Sequence, residues 1–185
     1  MQRDEIGKYI GENSAIFPGD AEFLYDELNK LPDIGNLLEL GTGYGHSCVY
    51  FSQLKPQWTI YTIDGYGEYG NYPQYFNFKH FDASGLNQTK SYIQSRGLKN
   101  IVQIIGNTNE VAWSYPVDVL FIDADHTFEG LKQDFEKYSP FAKTIFFHDY
   151  DLQGMAGNGV NDFIETIKDK WTITSQCHTA MGVRK

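Results

Sequence analysis

Five short apolar runs punctuate the chain: NLLEL (36–40), WTIYTID (58–64), NIVQIIG (100–106), VDVLFID (117–123) and AKTIFFHDY (142–150). Runs this short, rich in β-branched and aromatic residues, read as strands buried on both faces. Between them lie segments of helical period: AEFLYDELNKL (21–31), HSCVYFSQL (46–54), QTKSYIQSRG (88–97), TFEGLKQDFEKYSPF (127–141) and GNGVNDFIETIKDKW (157–171). Phe23, Leu24, Leu28 and Leu31 share one face of the first; Leu131, Phe135 and Tyr138 share one face of the fourth. Alternation of this kind predicts an α/β fold with a mostly parallel sheet covered by helices on both faces. The closing TITSQCHTAMGVRK reads as two further short strands around a turn, which brings the sheet to seven.

A length of 185 residues suits a single domain spanning 1–185, with a helical N-terminal segment (1–35) and an aromatic insertion (65–87). The formal charge of −9 argues against a broad phosphate-binding surface, so nucleic acid is not the expected partner. No apolar run reaches the ~20 residues of a membrane span, and the N-terminus lacks the apolar core of a signal peptide. A cytoplasmic location is therefore expected. Cys48 and Cys177 form no metal or disulfide pattern and are expected to be buried, reduced thiols.

In open α/β sheets, ligands bind at the carboxyl ends of the strands. Here those ends carry Glu39, Gly41 to Gly45, Asp64, Asn107, Asp123, His126, His148 and Asp149. The turn GTGYG after the first strand is G-x-G-x-G. It is neither the G-x-G-x-x-G of dinucleotide sites, since residue 46 is His, nor a P-loop, which needs Lys. Glu39, two residues before the first glycine, would repel a pyrophosphate and suits a cation. Asp64, at the end of the second strand, suits the two hydroxyls of a ribose.

LLELGTGYGHS followed by IYTID resembles motif I and the second-strand acid of the class I S-adenosylmethionine (AdoMet)-dependent methyltransferases. The resemblance runs on through VQIIGNT, VDVLFIDADHTFEGL, TIFFHDY and the final strand pair. Within the class, ELGTGYGHS, FIDADH and HDY are most similar to catechol-type and bacterial sugar and macrolide O-methyltransferases. The resemblance implies a Rossmann-like, seven-stranded sheet with an antiparallel last strand. It also implies AdoMet as cofactor: Glu39 at its amino-acid end, Gly41, Gly43 and Gly45 approaching it by backbone, and Thr42 and Ser47 bonding its carboxylate region. Asp64 would hold the ribose, and Asn107 and Thr108 would flank the adenine, with Asp123 beside the cofactor.

Asp123 and Asp149 end neighbouring strands, and two carboxylates brought to one point suit a hard divalent ion such as Mg²⁺. His148 would complete the set as a third ligand and favours Mn²⁺, Fe²⁺ or Zn²⁺ over Mg²⁺; a supporting role behind the metal, or no metal at all, stays open. His126 falls where the catechol enzymes carry a Lys general base, and an imidazole suits that task. Asp123 and His126 are thus the catalytic candidates. Asp125 is expected to cap the following helix. The insertion, with Tyr66, Tyr69, Tyr72, Tyr75, Phe76, Phe78 and Phe81, reads either as a lid over the substrate or as a satellite core or dimer contact. DLQGMAGNG (151–159) is a second candidate wall.

The expected activity is methyl transfer from AdoMet to a hydroxyl of a small molecule, assisted by a divalent metal. Two other readings remain: a nicotinamide-dependent oxidoreductase, and an AdoMet-binding or assembly protein without catalysis. A homo-oligomer that completes the substrate side also stays open.

Overall fold

A computed structural model describes residues 16–66, 83–152 and 159–185. Most of the aromatic insertion (67–82), the centre of the second candidate wall (153–158) and the first 15 residues lie outside the described residues.

The elements run α1 (Pro18–Leu28), β1 (Asn36–Leu40), α2 (His46–Leu54), β2 (Thr59–Asp64), α3 (Ala83–Ser95), β3 (Ile101–Ile105), β4 (Val117–Ile122), α4 (Phe128–Tyr138), β5 (Ala142–Phe147), α5 (Gly159–Ile167), β6 (Trp171–Gln176) and β7 (Thr179–Arg184). The sheet has seven strands in the order β3-β2-β1-β4-β5-β7-β6. β1 to β5 are parallel, and β7 runs antiparallel between β5 and β6. The expected α/β architecture is therefore present, including the antiparallel last strand.

Side chains alternate between two cores. Leu37, Ile60, Val119, Phe121 and Phe146 face α1 and α2, where they meet Phe23, Leu24, Leu28, Val49 and Phe51. Leu38, Leu40, Ile63, Leu120, Ile122 and Phe147 face α4 and α5, against Leu131, Phe135, Tyr138, Phe163 and Ile164. Both predicted apolar helix faces are thus buried, with Leu31 packed against the first core from beyond the end of α1.

Four of the element boundaries that differ from expectation have a clear local reason. α1 starts at Pro18 rather than Ala21, because proline needs no hydrogen-bond partner in a first turn. α3 starts at Ala83 rather than Gln88; its first turn, Ala-Ser-Gly, has no apolar periodicity to announce it. β5 ends at Phe147, because Asp149 turns the chain in a left-handed conformation (φ 55). α5 stops at Ile167, so Trp171 opens β6 instead of closing a helix.

Cys48 is buried, as expected, but Cys177 is exposed. It occupies the tip of the β6–β7 hairpin, where a two-residue turn leaves no room to bury a side chain.

Candidate functional site

The strand register gathers the site. Leu40, Ile63, Ile122 and Phe147 lie level across β1, β2, β4 and β5. Backbone bonds continue the ladder one residue further: Gly41 N–H to Ile63 O (2.9 Å), Asp123 N–H to Leu40 O (2.8 Å) and His148 N–H to Ile122 O (3.1 Å). Asp64, Gly41, Asp123 and His148 therefore stand side by side along the carboxyl edge. β1 and β4 are neighbours from which the chain winds in opposite directions, so Gly41 and Asp123 flank the switch point where such sheets bind ligands.

The glycine turn is built on three left-handed residues: Gly41 (φ 94), Gly43 (φ 50) and Gly45 (φ 83). Only glycine adopts these conformations without strain. Space is also short. A Cβ on Gly41 would lie 2.2 Å from the backbone oxygen of Asp123, and one on Gly45 would lie 2.8 Å from the Thr89 methyl. Asp64 holds the turn from the side, accepting from Gly43 N–H (2.8 Å) and Tyr66 N–H (2.7 Å). Burial pushes its carboxyl up, and those backbone donors partly offset this. A carboxylate has about four acceptor sites, so these donors do not exhaust Asp64.

Glu39 is buried beneath the turn. Its Oε2 accepts from the Thr62 hydroxyl, which in turn meets the Thr42 hydroxyl (2.5 Å). Burial pushes its pKa up to about 8, against the opposing pull of the Ser47 and Thr62 hydroxyls. Its Oε1 has no hydrogen-bond partner among the described residues. Glu39, Thr42 and Ser47 thus sit together under the loop. Beyond β3, Asn107 closes its own turn by accepting from Asn109 N–H (2.9 Å). The Thr108 carbonyl accepts from Lys137 (2.7 Å) and Tyr138 (2.6 Å) on α4.

On the far side of the turn, two acids and two histidines interlock. Asp123 Oδ1 lies 3.2 Å from His126 Nε2 and 3.0 Å from His148 Nδ1. Asp149 lies 3.2 Å from His126 Nδ1 and 3.1 Å from His148 Nδ1. Burial alone would raise the Asp123 carboxyl, but His148 and His126 outweigh it and hold it well below the usual carboxylate range. Both imidazoles are raised in return: burial opposes this, and Asp123 overcomes it. Ligand atoms of Asp123, His148 and Asp149 lie within 4.8 Å of one another. This mixed oxygen and nitrogen set fits a divalent transition metal better than Mg²⁺. His148 is buried and Nε2 has no hydrogen-bond partner among the described residues.

Asp125 stands apart from this cluster. It is not the helix cap: Thr127 is, with its side chain accepting from Gly130 N–H (3.1 Å), while Asp125 braces the cap by accepting from Thr127 N–H (2.9 Å). The true cap lies two residues on, because the chain must first clear the strand end.

A family model for a methyltransferase domain matches residues 38–150, more than half of the chain, including the glycine turn, Asp64 and the acid–histidine cluster. The chain belongs to this methyltransferase family.

Solved structures share its fold. A candidate caffeoyl-CoA O-methyltransferase from Staphylococcus aureus is 18% identical, covers 89% of this chain and 82% of its own, and has a TM-score of 0.69. A candidate O-methyltransferase from Klebsiella pneumoniae is 15% identical over 99% of this chain and 89% of its own, with a TM-score of 0.66. A candidate methyltransferase from Streptococcus mutans, in complex with S-adenosylhomocysteine, is 13% identical over 89% and 97%, with a TM-score of 0.63. No curated protein matches the chain in sequence. Among the described residues of the methyltransferase, no helix is long and apolar enough to cross a membrane.

Two residues that shape the methyltransferase edge carry no sequence signal of their own. Thr89 on α3 is buried, and its hydroxyl lies 2.8 Å from the Gly43 carbonyl. Gly159, at the start of α5, touches the chain at His126: a Cβ there would lie 2.3 Å from the His126 carbonyl oxygen. Both contacts join distant segments, and only the folded chain reveals them.

Proposed function

We propose that this methyltransferase transfers a methyl group from AdoMet to a hydroxyl of a small molecule, with a divalent cation at the acid–histidine cluster. The observation that carries this reading is the pair Asp123 and Asp149, each engaged by both His126 and His148, one residue beyond β4 and two beyond β5. The left-handed glycines, the Asp64 carboxylate beside them and the Glu39 Oε1, which has no partner among the described residues, support an AdoMet cradle there. The similarity to a structure holding S-adenosylhomocysteine and to candidate O-methyltransferases points the same way.

Asp64 would accept from the ribose hydroxyls. Glu39, protonated through neutral pH, supports the turn from below with Thr62 and Ser47. Asp123, His148 and Asp149 would hold the cation. Its charge would orient the acceptor hydroxyl, lower its pKa and favour the neutral forms of the two imidazoles. His126 then receives the hydroxyl proton, held in place by Asp123 and Asp149. Transfer itself is in-line, so most of the work is positioning.

The test is methyl transfer from labelled AdoMet to a panel of catechols, sugars and hydroxylated macrocycles, with and without chelator. Transfer to oxygen that stops on chelation and returns with Mn²⁺ is expected. Methylation of nitrogen, or transfer indifferent to chelator, would overturn the proposal.

A further inference from the structure

The glycine turn has two sides. Gly41 lies against Asp123, whereas Gly45 lies against Thr89 of α3. On the α3 side, the turn and the helix enclose an open hollow of about 350 Å³ lined by Tyr44, His46, Gln88 and Tyr92. None of these four belongs to the acid–histidine cluster.

The lining has a definite chemistry. His46 meets Tyr92 edge to face at 5.5 Å and 90°, and Tyr44 stands 6.2 Å from His46 at 38°. Aromatic groups add to such arrangements through the same offset and edge contacts. Burial lowers the His46 pKa, which favours the uncharged imidazole. The Arg96 guanidinium already lies over the Tyr92 ring, 5.0 Å from its centre. The lining therefore offers three uncharged rings and one amide, with no carboxylate or ammonium among the described residues. Gln88 supplies both a donor and an acceptor. A ligand complementary to this lining is a neutral aromatic ring with one hydrogen-bonding substituent.

The hollow also adjoins the cofactor loop. Gln88 and Tyr92 flank Thr89 on α3, the Thr89 hydroxyl is 2.8 Å from Gly43 O, and Gly43 N–H donates to Asp64 at 2.8 Å. Anything that moves α3 against Tyr44 and His46 pulls on the turn that Asp64 braces.

We propose that this hollow is a second small-molecule site, separate from the acid–histidine cluster, that takes a phenol-type ring and couples its occupancy to AdoMet binding through Thr89 and Gly43. The coupling rests on the cofactor reading given above; the ring site does not.

The first experiment is titration of the ¹⁵N-labelled protein with phenol, with benzoate and cyclohexanol as charged and non-aromatic controls. Saturable shifts at Tyr44, His46, Gln88 and Tyr92 are expected with phenol, and much weaker ones with either control. Tyr92→Ala should weaken phenol binding by up to roughly tenfold, and Tyr92→Phe should preserve it. Equal shifts with cyclohexanol, shifts confined to Asp123 and His126, or a Tyr92→Ala variant that binds as well as the wild type would overturn the site. The second experiment is AdoMet calorimetry at saturating phenol. A change in AdoMet affinity of about threefold or more is expected, and by linkage AdoMet should change phenol affinity by the same factor. Unchanged AdoMet affinity overturns the coupling alone. Complete absence of AdoMet binding overturns the cofactor reading and leaves the ring site standing.

Discussion

At the scale of single residues, the site depends on close backbone approaches. Gly159 places its α-carbon against the His126 carbonyl, leaving no space for a methyl group. Gly159→Ala is expected to displace His126 while Asp64 and the glycine turn stay put. The kinetic signature is a fall in kcat of one to two orders of magnitude, roughly what a small misplacement of a positioned group costs, with AdoMet affinity within about twofold of wild type. Equal losses in both would place Gly159 in general folding instead. Glu39 gives a prediction in pH. Burial holds its carboxyl pKa up to about 8 in the folded chain, far above the ordinary carboxylate range. Within that window the folded state binds more protons than the unfolded state, so stability falls as pH rises and the full contribution returns only below the window. Glu39→Gln removes this titration. Urea unfolding at pH 5 and pH 9 should show the variant gaining on the wild type at the higher pH by as much as roughly 4 kcal/mol. Parallel pH profiles would show that Glu39 ionises freely.

Among the elements, α4 sets the geometry between Asp123 and the second core. Thr127 caps it, Leu131, Phe135 and Tyr138 bury one face, and Lys137 and Tyr138 tie down the β3–β4 loop at Thr108. Thr127→Ala should lower stability by about 1 kcal/mol, read as a lower urea midpoint with an unchanged slope. A shift below about 0.2 kcal/mol would mean that Asp125 caps in its place. The same helix shows what the sequence could reveal. The spacing of Leu131, Phe135 and Tyr138 is a local pattern, and the buried face followed from it. The strands were equally legible, because β-branched runs ending in Asp64 and Asp123 announce both themselves and the edge where a ligand would lie. Thr127 and Asp125 are both good caps, and only the path of the chain after β4 decides in favour of Thr127. Thr89 and Gly159 were invisible for a stronger reason: their partners, Gly43 and His126, are distant in sequence.

For the whole molecule, ligand binding and stability are one equilibrium. The glycine turn is clamped by Asp64 from β2, Asp123 from β4 and Thr89 from α3, so anything that fills the edge stiffens three segments at once. A ligand bound only by the folded state at 100 times its Kd adds about 2.7 kcal/mol. For a chain of this size that corresponds to a rise in Tm of roughly 5–10 °C. AdoMet and S-adenosylhomocysteine should each produce such a rise, and NADH should not. Asp64→Ala should abolish the rise at the same ligand concentration. It also releases two backbone donors, Gly43 N–H and Tyr66 N–H, so its unliganded Tm should fall as well. Measuring both quantities separates the roles. A variant that loses unliganded stability yet keeps the full AdoMet-dependent rise would make Asp64 a brace for the turn and not a ribose ligand. Loss of both in the variant would mean that wild-type Asp64 holds the loop and the cofactor with the same carboxylate.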